Sequence, residues 1–326
     1  MAGADTDVDK ILRSALQGRI LTREEALALL RIANKSDDFF RLLATANRLT
    51  RTQFNNKAYI FAQIGINAEP CSQGCKFCSM SKNHYVMDGT WRKDAADILA
   101  EVAAVTGQGI DDLFLMTTAD YSVADFIETG KKVKIRLPKD MRLVANIGDF
   151  DYNTAIALKE AGFTGAYHIN RLREGIDTGI KPAARIATIE AIVKAGLELY
   201  YCVEPIGPEH SYDELVEEML RARDYDLKVM AVMRRIPVPG TLLCDKGQIT
   251  ALELAKIAAV TRLVSRPSRA MNAHEVTPVT LVSGVNQLYA EIGANPRDSK
   301  SDTENHRGFS VARIKDLFAD AEYSLS

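Results

Sequence analysis

The chain has 326 residues, with 41 Lys and Arg against 43 Asp and Glu and a formal net charge of −2, so no global field is available to hold nucleic acid or an anionic membrane. Hydrophobic residues make up 47% and charged residues 26%, which is ordinary globular usage and enough apolar material for a large core without disulfides. The five cysteines are odd in number, no uninterrupted apolar stretch is long enough to span a bilayer, and the acidic start Met1-Ala-Gly-Ala-Asp-Thr-Asp lacks the pattern of a secretion signal. A cytoplasmic protein with reduced thiols is expected, with no nucleic acid and no membrane among its partners.

In chain order, three helices come first. They are expected over Asp7–Leu16, Thr22–Ala33 and Asp37–Leu49, the second opened by Thr22 with Glu24 and Glu25 in its first turn. From Ala58 the pattern changes to short apolar runs bounded by turns and separated by helix-length segments. Strands are expected at Ala58–Ile64, Asp112–Met116, Arg142–Ile147, Gly165–Ile169, Glu198–Val203, Lys228–Met233, Arg269–Ala273 and Gln287–Glu291. Between them lie amphipathic segments such as Tyr152–Ala161, Ala183–Ala195, Tyr212–Arg223 and Ala251–Val264, with Gly162 and Gly196 placed to end two of them. Repeated strand–helix units imply a parallel sheet, and eight strands imply a closed (β/α)8 TIM-type barrel. The resulting organisation is an N-terminal helical extension over residues 1–50, the barrel over 51–298, and a C-terminal segment over 299–326. That last part reads as a polar loop, Asn295–Gly308, followed by a short helix, Val311–Ala319.

The most specific signal is the run Cys71-Ser-Gln-Gly-Cys75-Lys-Phe-Cys78, seven residues beyond the first expected strand and therefore on a loop at the barrel's C-terminal face, where such barrels carry their active sites. Iron–sulfur clusters are held by Cys thiolates, usually four, so an isolated trio implies a cube with one iron left open for a substrate or cofactor. A structural zinc site is the rival reading, although zinc closes its tetrahedron with four ligands and only His84 lies near. Gly74 suits a tight turn around a cluster. Polar residues recur after the later strands, at Thr117–Tyr121, Asn146–Asp149, His168–Glu174, Cys202–Glu209, Arg234–Thr241 and His274-Glu275, all at the same end of the barrel.

The cysteine spacing, with Phe77 before the last cysteine, resembles the signature of the radical S-adenosylmethionine superfamily, and the later motifs resemble its biotin synthase-like branch over about Thr22 to Asp298. This resemblance implies a 4Fe-4S cluster on Cys71, Cys75 and Cys78. It also implies S-adenosylmethionine on the open iron, reductive formation of a 5′-deoxyadenosyl radical, and a flavodoxin- or ferredoxin-like electron donor. Cofactor contacts carried over on matching positions are Thr117 and Thr118, in Thr117-Thr-Ala119, for the methionyl amino group; Asn170 for the ribose; Arg185 for the carboxylate; and Val238, in Val238-Pro-Gly-Thr241, beside the adenine. The implied substrate is a small polar molecule, charged if Arg171, Arg173, Glu204, Arg235 and His274 line the cavity, with Glu209, Arg234 and Asn295–Asp298 as further candidates. The branch's sulfur-donating members hold a second cluster. At the corresponding positions this chain has Leu115, Val144, Tyr200 and, near an arginine ligand, Asn272. An auxiliary cluster built differently, from Cys202 and Cys244 with His274, is the arrangement that sulfur insertion, as in lipoyl formation, requires here. A non-catalytic iron–sulfur scaffold is a further alternative.

Overall fold

The computed structural model describes residues 7–87, 89–274, 277–291 and 309–325. Eight parallel strands close into a barrel: β1 (Lys57–Gly65), β2 (Asp112–Met116), β3 (Arg142–Asn146), β4 (Gly165–Tyr167), β5 (Glu198–Ile206), β6 (Leu227–Arg234), β7 (Ala270–His274) and β8 (Gln287–Glu291). Each pairs with its sequence neighbour, and β8 returns to β1 in the register Tyr59 with Gln287 through Gln63 with Glu291. The eight expected strands are all present, with ends moved by a few residues at most. The added strand Ser324–Leu325 pairs with the start of β1. The expected polar loop Asn295–Gly308 lies outside the described residues.

Helices α1 (Val8–Leu16), α2 (Arg23–Leu30) and α3 (Asp37–Gln53) precede the barrel. Thr22 caps α2 through a capping box with Glu25, as the sequence signalled. The outer layer is α4 (Ala95–Thr106), α5 (Val123–Arg136), α6 (Tyr152–Glu160), α7 (Pro182–Ala195), α8 (Tyr212–Arg223) and α9 (Ala251–Ser265), with α10 (Val311–Asp320) near the end. Gly196 ends α7 in the left-handed conformation, φ +71°. The buried faces of α2 and α3, including Leu30, Phe39 and Leu42, join the same hydrophobic cluster as the layer between strands and helices. Among the described residues no helix is long and apolar enough to cross a membrane.

Strand side chains alternate inward and outward, and inside the barrel they stack in layers that decide where a cavity can form. At the bottom, Arg269 and Gln287 both donate to Asp112, at 2.6 and 2.7 Å, and Arg142 pairs with Glu198 at 3.0 Å. Above this polar floor lies an apolar plug of Phe61, Phe114, Val144, Tyr200, Val229 and Ala270. Its rings touch in sequence, with centroids 4.7 Å apart for Phe61 and Phe114 and 5.3 Å for Phe114 and Tyr200, so the barrel is filled at mid-height. Space remains only above the plug, toward the C-terminal ends.

Candidate active site

Above the plug is a cavity of about 290 Å³ lined by inward residues of the strands and by residues beyond their C-terminal ends. Cys71, Cys75 and Cys78 all face it. They sit on the loop beyond β1, and that loop is pinned by three neighbouring rim loops. Ser72 donates its backbone N–H to Asp120 at 2.6 Å. Two backbone bonds run in opposite directions between this loop and the loop beyond β4, Lys76 N–H to the Asp177 carbonyl at 2.9 Å and Gly179 N–H to the Gln73 carbonyl at 2.6 Å. Leu243 donates to the Lys76 carbonyl at 3.2 Å. Gly74 takes φ +64°, the left-handed turn that its place between the cysteines required.

Among the described residues no three Cys, His, Asp or Glu side chains converge on a point that one metal ion would occupy. Three thiols spread around one cavity instead fit a multi-iron cluster, which meets each thiolate at a different iron. Burial pushes the Cys75 thiol up to about 12, opposed by the charge of Arg171. An isolated thiolate is therefore disfavoured there, and bonding to iron would remove that penalty.

The positions matched for the cofactor divide. Thr117 and Thr118 are buried and line the cavity. Asn67 fixes the second of them, accepting from the Thr118 N–H at 3.0 Å and donating to its hydroxyl at 2.9 Å. Val238 also lines it. Arg185 reaches it from the first turn of α7, held between Asp149 at 3.0 Å and Glu174 at 3.1 Å. Asp149 accepts a second bond from His168 Nε2 at 2.9 Å. Burial opposes the Asp149 charge, yet the bond from His168 and the charge of Arg185 hold its carboxyl below the usual range. The same burial drives His168 down to about 4, so it sits neutral behind the carboxylate.

Asn170 departs from the expectation. β4 ends at Tyr167, so Asn170 lies in the following loop, and its Nδ2 turns outward to donate to Glu218 of α8 at 2.8 Å. It is not among the residues lining the cavity.

Of the expected substrate residues, Arg171, Glu204, Arg235 and His274 line the cavity and Arg173 does not. Arg171 faces Glu204 at 3.3 Å. Burial works against the Arg171 charge, but Glu204 beside it raises the pKa so that the guanidinium stays protonated. Arg235 is paired through both terminal nitrogens with Glu209. His274 packs against Phe61 and Tyr289, with centroids 5.5 Å away in each case. Arg173 adopts φ +57°, which turns it out of the strand path toward Asp177 at 3.4 Å. Arg234 bonds instead to the Ile249 carbonyl. Glu275 and Asn295–Asp298 lie outside the described residues.

The three residues of the auxiliary arrangement sit in different surroundings. Cys202 is fully buried in β5, where burial and Glu204 push its thiol well up, whereas Cys244 sits half-buried in a short turn beyond β6. Among the described residues neither cysteine lines the cavity that His274 lines. The register on β2 is shifted as well: Leu115 packs toward the helices, and Phe114 is the residue turned into the barrel. Asp149, Glu174 and the cavity-facing amides Gln63, Asn146 and Asn272 were not assigned roles from sequence. For Asp149 and Glu174 the signal was their position after β3 and β4.

No family model matches the chain. The biotin synthase of Desulforudis audaxviator is 29% identical over 266 residues, spanning 79% of this chain and 80% of that protein. The biotin synthase of Clostridioides difficile is 27% identical over 266 residues, spanning 78% and 81%. Among solved structures, a methylornithine synthase superposes with a TM-score of 0.84 at 17% identity over 97% of each chain. The FeFe-hydrogenase maturase of Carboxydothermus hydrogenoformans gives 0.81 at 15% identity, over 98% of this chain and 79% of that one. At these identities the superpositions establish a shared barrel.

Proposed function

We propose that the chain is a radical S-adenosylmethionine enzyme of the biotin synthase-like branch and that it takes a hydrogen atom from an unactivated C–H bond of a small polar substrate, in the biosynthesis of a cofactor or an amino-acid-derived metabolite. When bound, a 4Fe-4S cluster with S-adenosylmethionine supplies the 5′-deoxyadenosyl radical. The electron comes from a flavodoxin- or ferredoxin-like donor. One observation carries the reading: the three thiols of the rim loop and the backbone of Thr117-Thr-Ala119, Arg185 and Val238 all open into one cavity of a closed barrel.

The chain's own residues do the positioning. Cys71, Cys75 and Cys78 are the proposed iron ligands. Arg185 is aimed by its two carboxylates and presents its guanidinium to a carboxylate, the geometry in which a planar fork binds well. Thr118, held by Asn67, offers fixed backbone at the next strand end. The apolar plug keeps water from entering through the barrel, so a reactive species in the cavity meets only the seated substrate. Hydrogen abstraction without sulfur insertion is the preferred reading, because neither Cys202 nor Cys244 lines the cavity.

Anaerobic reconstitution with iron and sulfide tests the reading. Wild type is expected to hold four irons per chain, as a 4Fe-4S cluster requires, and to form 5′-deoxyadenosine from S-adenosylmethionine under reducing conditions. Tight nucleotide binding together with bound iron but no 5′-deoxyadenosine would instead identify a scaffold.

A further inference from the structure

Among the described residues the charges around the cavity each face an opposite charge, although the buried Nε atoms of Arg171 and Arg235 make no hydrogen bond. Arg171 faces Glu204, Arg185 is held by Asp149 and Glu174, and Arg235 is held by Glu209. All three arginines lie beyond the strands, at the mouth. Deeper, the lining includes four amides, Gln63, Asn146, Asn272 and Gln287, beside Tyr167, Tyr200, Tyr289 and His274, and two of the amide contacts are internal. Asn146 donates to Gln63 at 3.4 Å, and Gln287 turns down to Asp112 at 2.7 Å.

Asn272 is different. It stands in the middle of β7 with 1% of its surface exposed, it lines the cavity, and both its Oδ1 and its Nδ2 lack a hydrogen-bond partner. In register it sits between Ala231 of β6, whose methyl group offers nothing polar, and Gln287 of β8. Buried amides are normally satisfied, because leaving donor and acceptor both open costs the full desolvation of each. Here a molecule in the cavity is what completes them.

We propose that Asn272 recognises the buried end of the substrate and that this end is a neutral carboxamide, whether a primary amide, a lactam or a urea. The inference rests on the reading of this cavity as the substrate pocket. A carboxamide edge matches Asn272 twice, its carbonyl accepting from Nδ2 and its N–H donating to Oδ1. A carboxylate would set an anion against Oδ1, and an ammonium would set a cation against Nδ2. Among the described residues neither finds an unpaired counter-charge at that depth, and a buried charge needs one. A hydroxyl brings a single oxygen to two groups. The charged substrate expected from the arginines of the rim is thereby replaced by one whose inner end is uncharged.

The test uses four probes of one size: propanamide, propanoate, propylammonium and propan-1-ol. Each is titrated by ligand-observed NMR into the anaerobically reconstituted protein holding S-adenosylmethionine. Propanamide is expected to bind at least about tenfold more tightly than the others, and Asn272→Leu to weaken it by about tenfold or more. Without any probe, Asn272→Leu is expected to raise Tm, since it removes two unsatisfied buried groups. Preference for another probe, no binding of propanamide, or a lowered Tm of folded Asn272→Leu overturns the assignment. The wild-type comparison decides by itself if the variant is insoluble. Formation of 5′-deoxyadenosine is read on the same wild-type sample. Its absence with amide preference intact sinks the radical reading alone, and its presence with the preference missing sinks the carboxamide alone.

Discussion

Arg185 and Glu174 face each other across the floor of the α7 entry loop, Nε to Oε2 at 3.1 Å, with the Glu174 side chain wholly out of solvent. Glu174 also accepts the backbone N–H of Arg171 at 3.0 Å and the hydroxyl of Thr178, so one carboxylate organises the loop and aims the guanidinium. Arg185→Lys keeps the charge but loses the fork between Asp149 and Glu174. Equilibrium binding of S-adenosylmethionine is expected to weaken by about tenfold with iron content unchanged. Glu174→Ala leaves Arg185 with Asp149 alone and takes the acceptor from the Arg171 N–H and the Thr178 hydroxyl, and is expected to cost about 1–3 kcal/mol in chemical denaturation. Unaltered stability would show that Arg185 finds another partner.

Cys71→Ala, Cys75→Ala and Cys78→Ala are each expected to abolish 5′-deoxyadenosine formation. Retained turnover in any one of them would remove that cysteine from the iron ligands.

The double variant Cys202→Ala with Cys244→Ala is expected to keep the full iron and sulfide count, because the two thiols stand apart, one in the core and one in a rim turn. A loss of iron in that variant, with the rim trio intact, would establish a second cluster.

His168 gives the protein an acid-sensitive step. Its folded pKa is pushed from 6.5 to about 4 by burial, so between those values the unfolded chain binds a proton that the folded chain refuses. Stability is therefore complete above about pH 6.5 and is lost as pH falls toward 4, by on the order of 3 kcal/mol. His168→Gln retains a donor to Asp149 without titrating, and it should flatten this limb of the stability profile measured by denaturant midpoint. An unchanged limb would assign the step to another group.

Gly165 opens β4, where an added Cβ would lie 2.6 Å from the Glu198 carbonyl and 2.8 Å from the Tyr200 ring. Since the nearest obstacle is backbone, Gly165→Ala is expected to destabilise by about 1–3 kcal/mol. A Tm equal to wild type would mean that β5 yields more easily than its packing implies.

The strands and their order were legible because each is a compact apolar run with turns at both ends. Which face of a strand looks inward was less so. The Asp112–Met116 run is apolar on both sides, as buried parallel strands are, and nothing local distinguishes Phe114 from Leu115. Asn170 was misplaced because β4 stops at Tyr167 and alternation ceases to apply beyond it. The ion pairs were illegible for another reason: Arg269 meets Asp112 from 157 residues away, and Arg235 meets Glu209 across a helix-length gap. Position after a strand end marked these residues as cavity candidates, and only the fold showed which were already neutralised. Asn272 inverts that lesson, since what distinguishes it is the lack of any partner.

The aromatic plug has a kinetic consequence. It makes the barrel a blind well, open at one rim, and that rim carries the cysteine loop. A molecule resting against Asn272 lies beneath whatever occupies the space near Cys71, Cys75 and Cys78, with Phe61, Phe114 and Tyr200 closing the way below. Under the proposed function, the substrate would have to enter before the cofactor and leave after it, which an order-of-addition binding experiment reads directly.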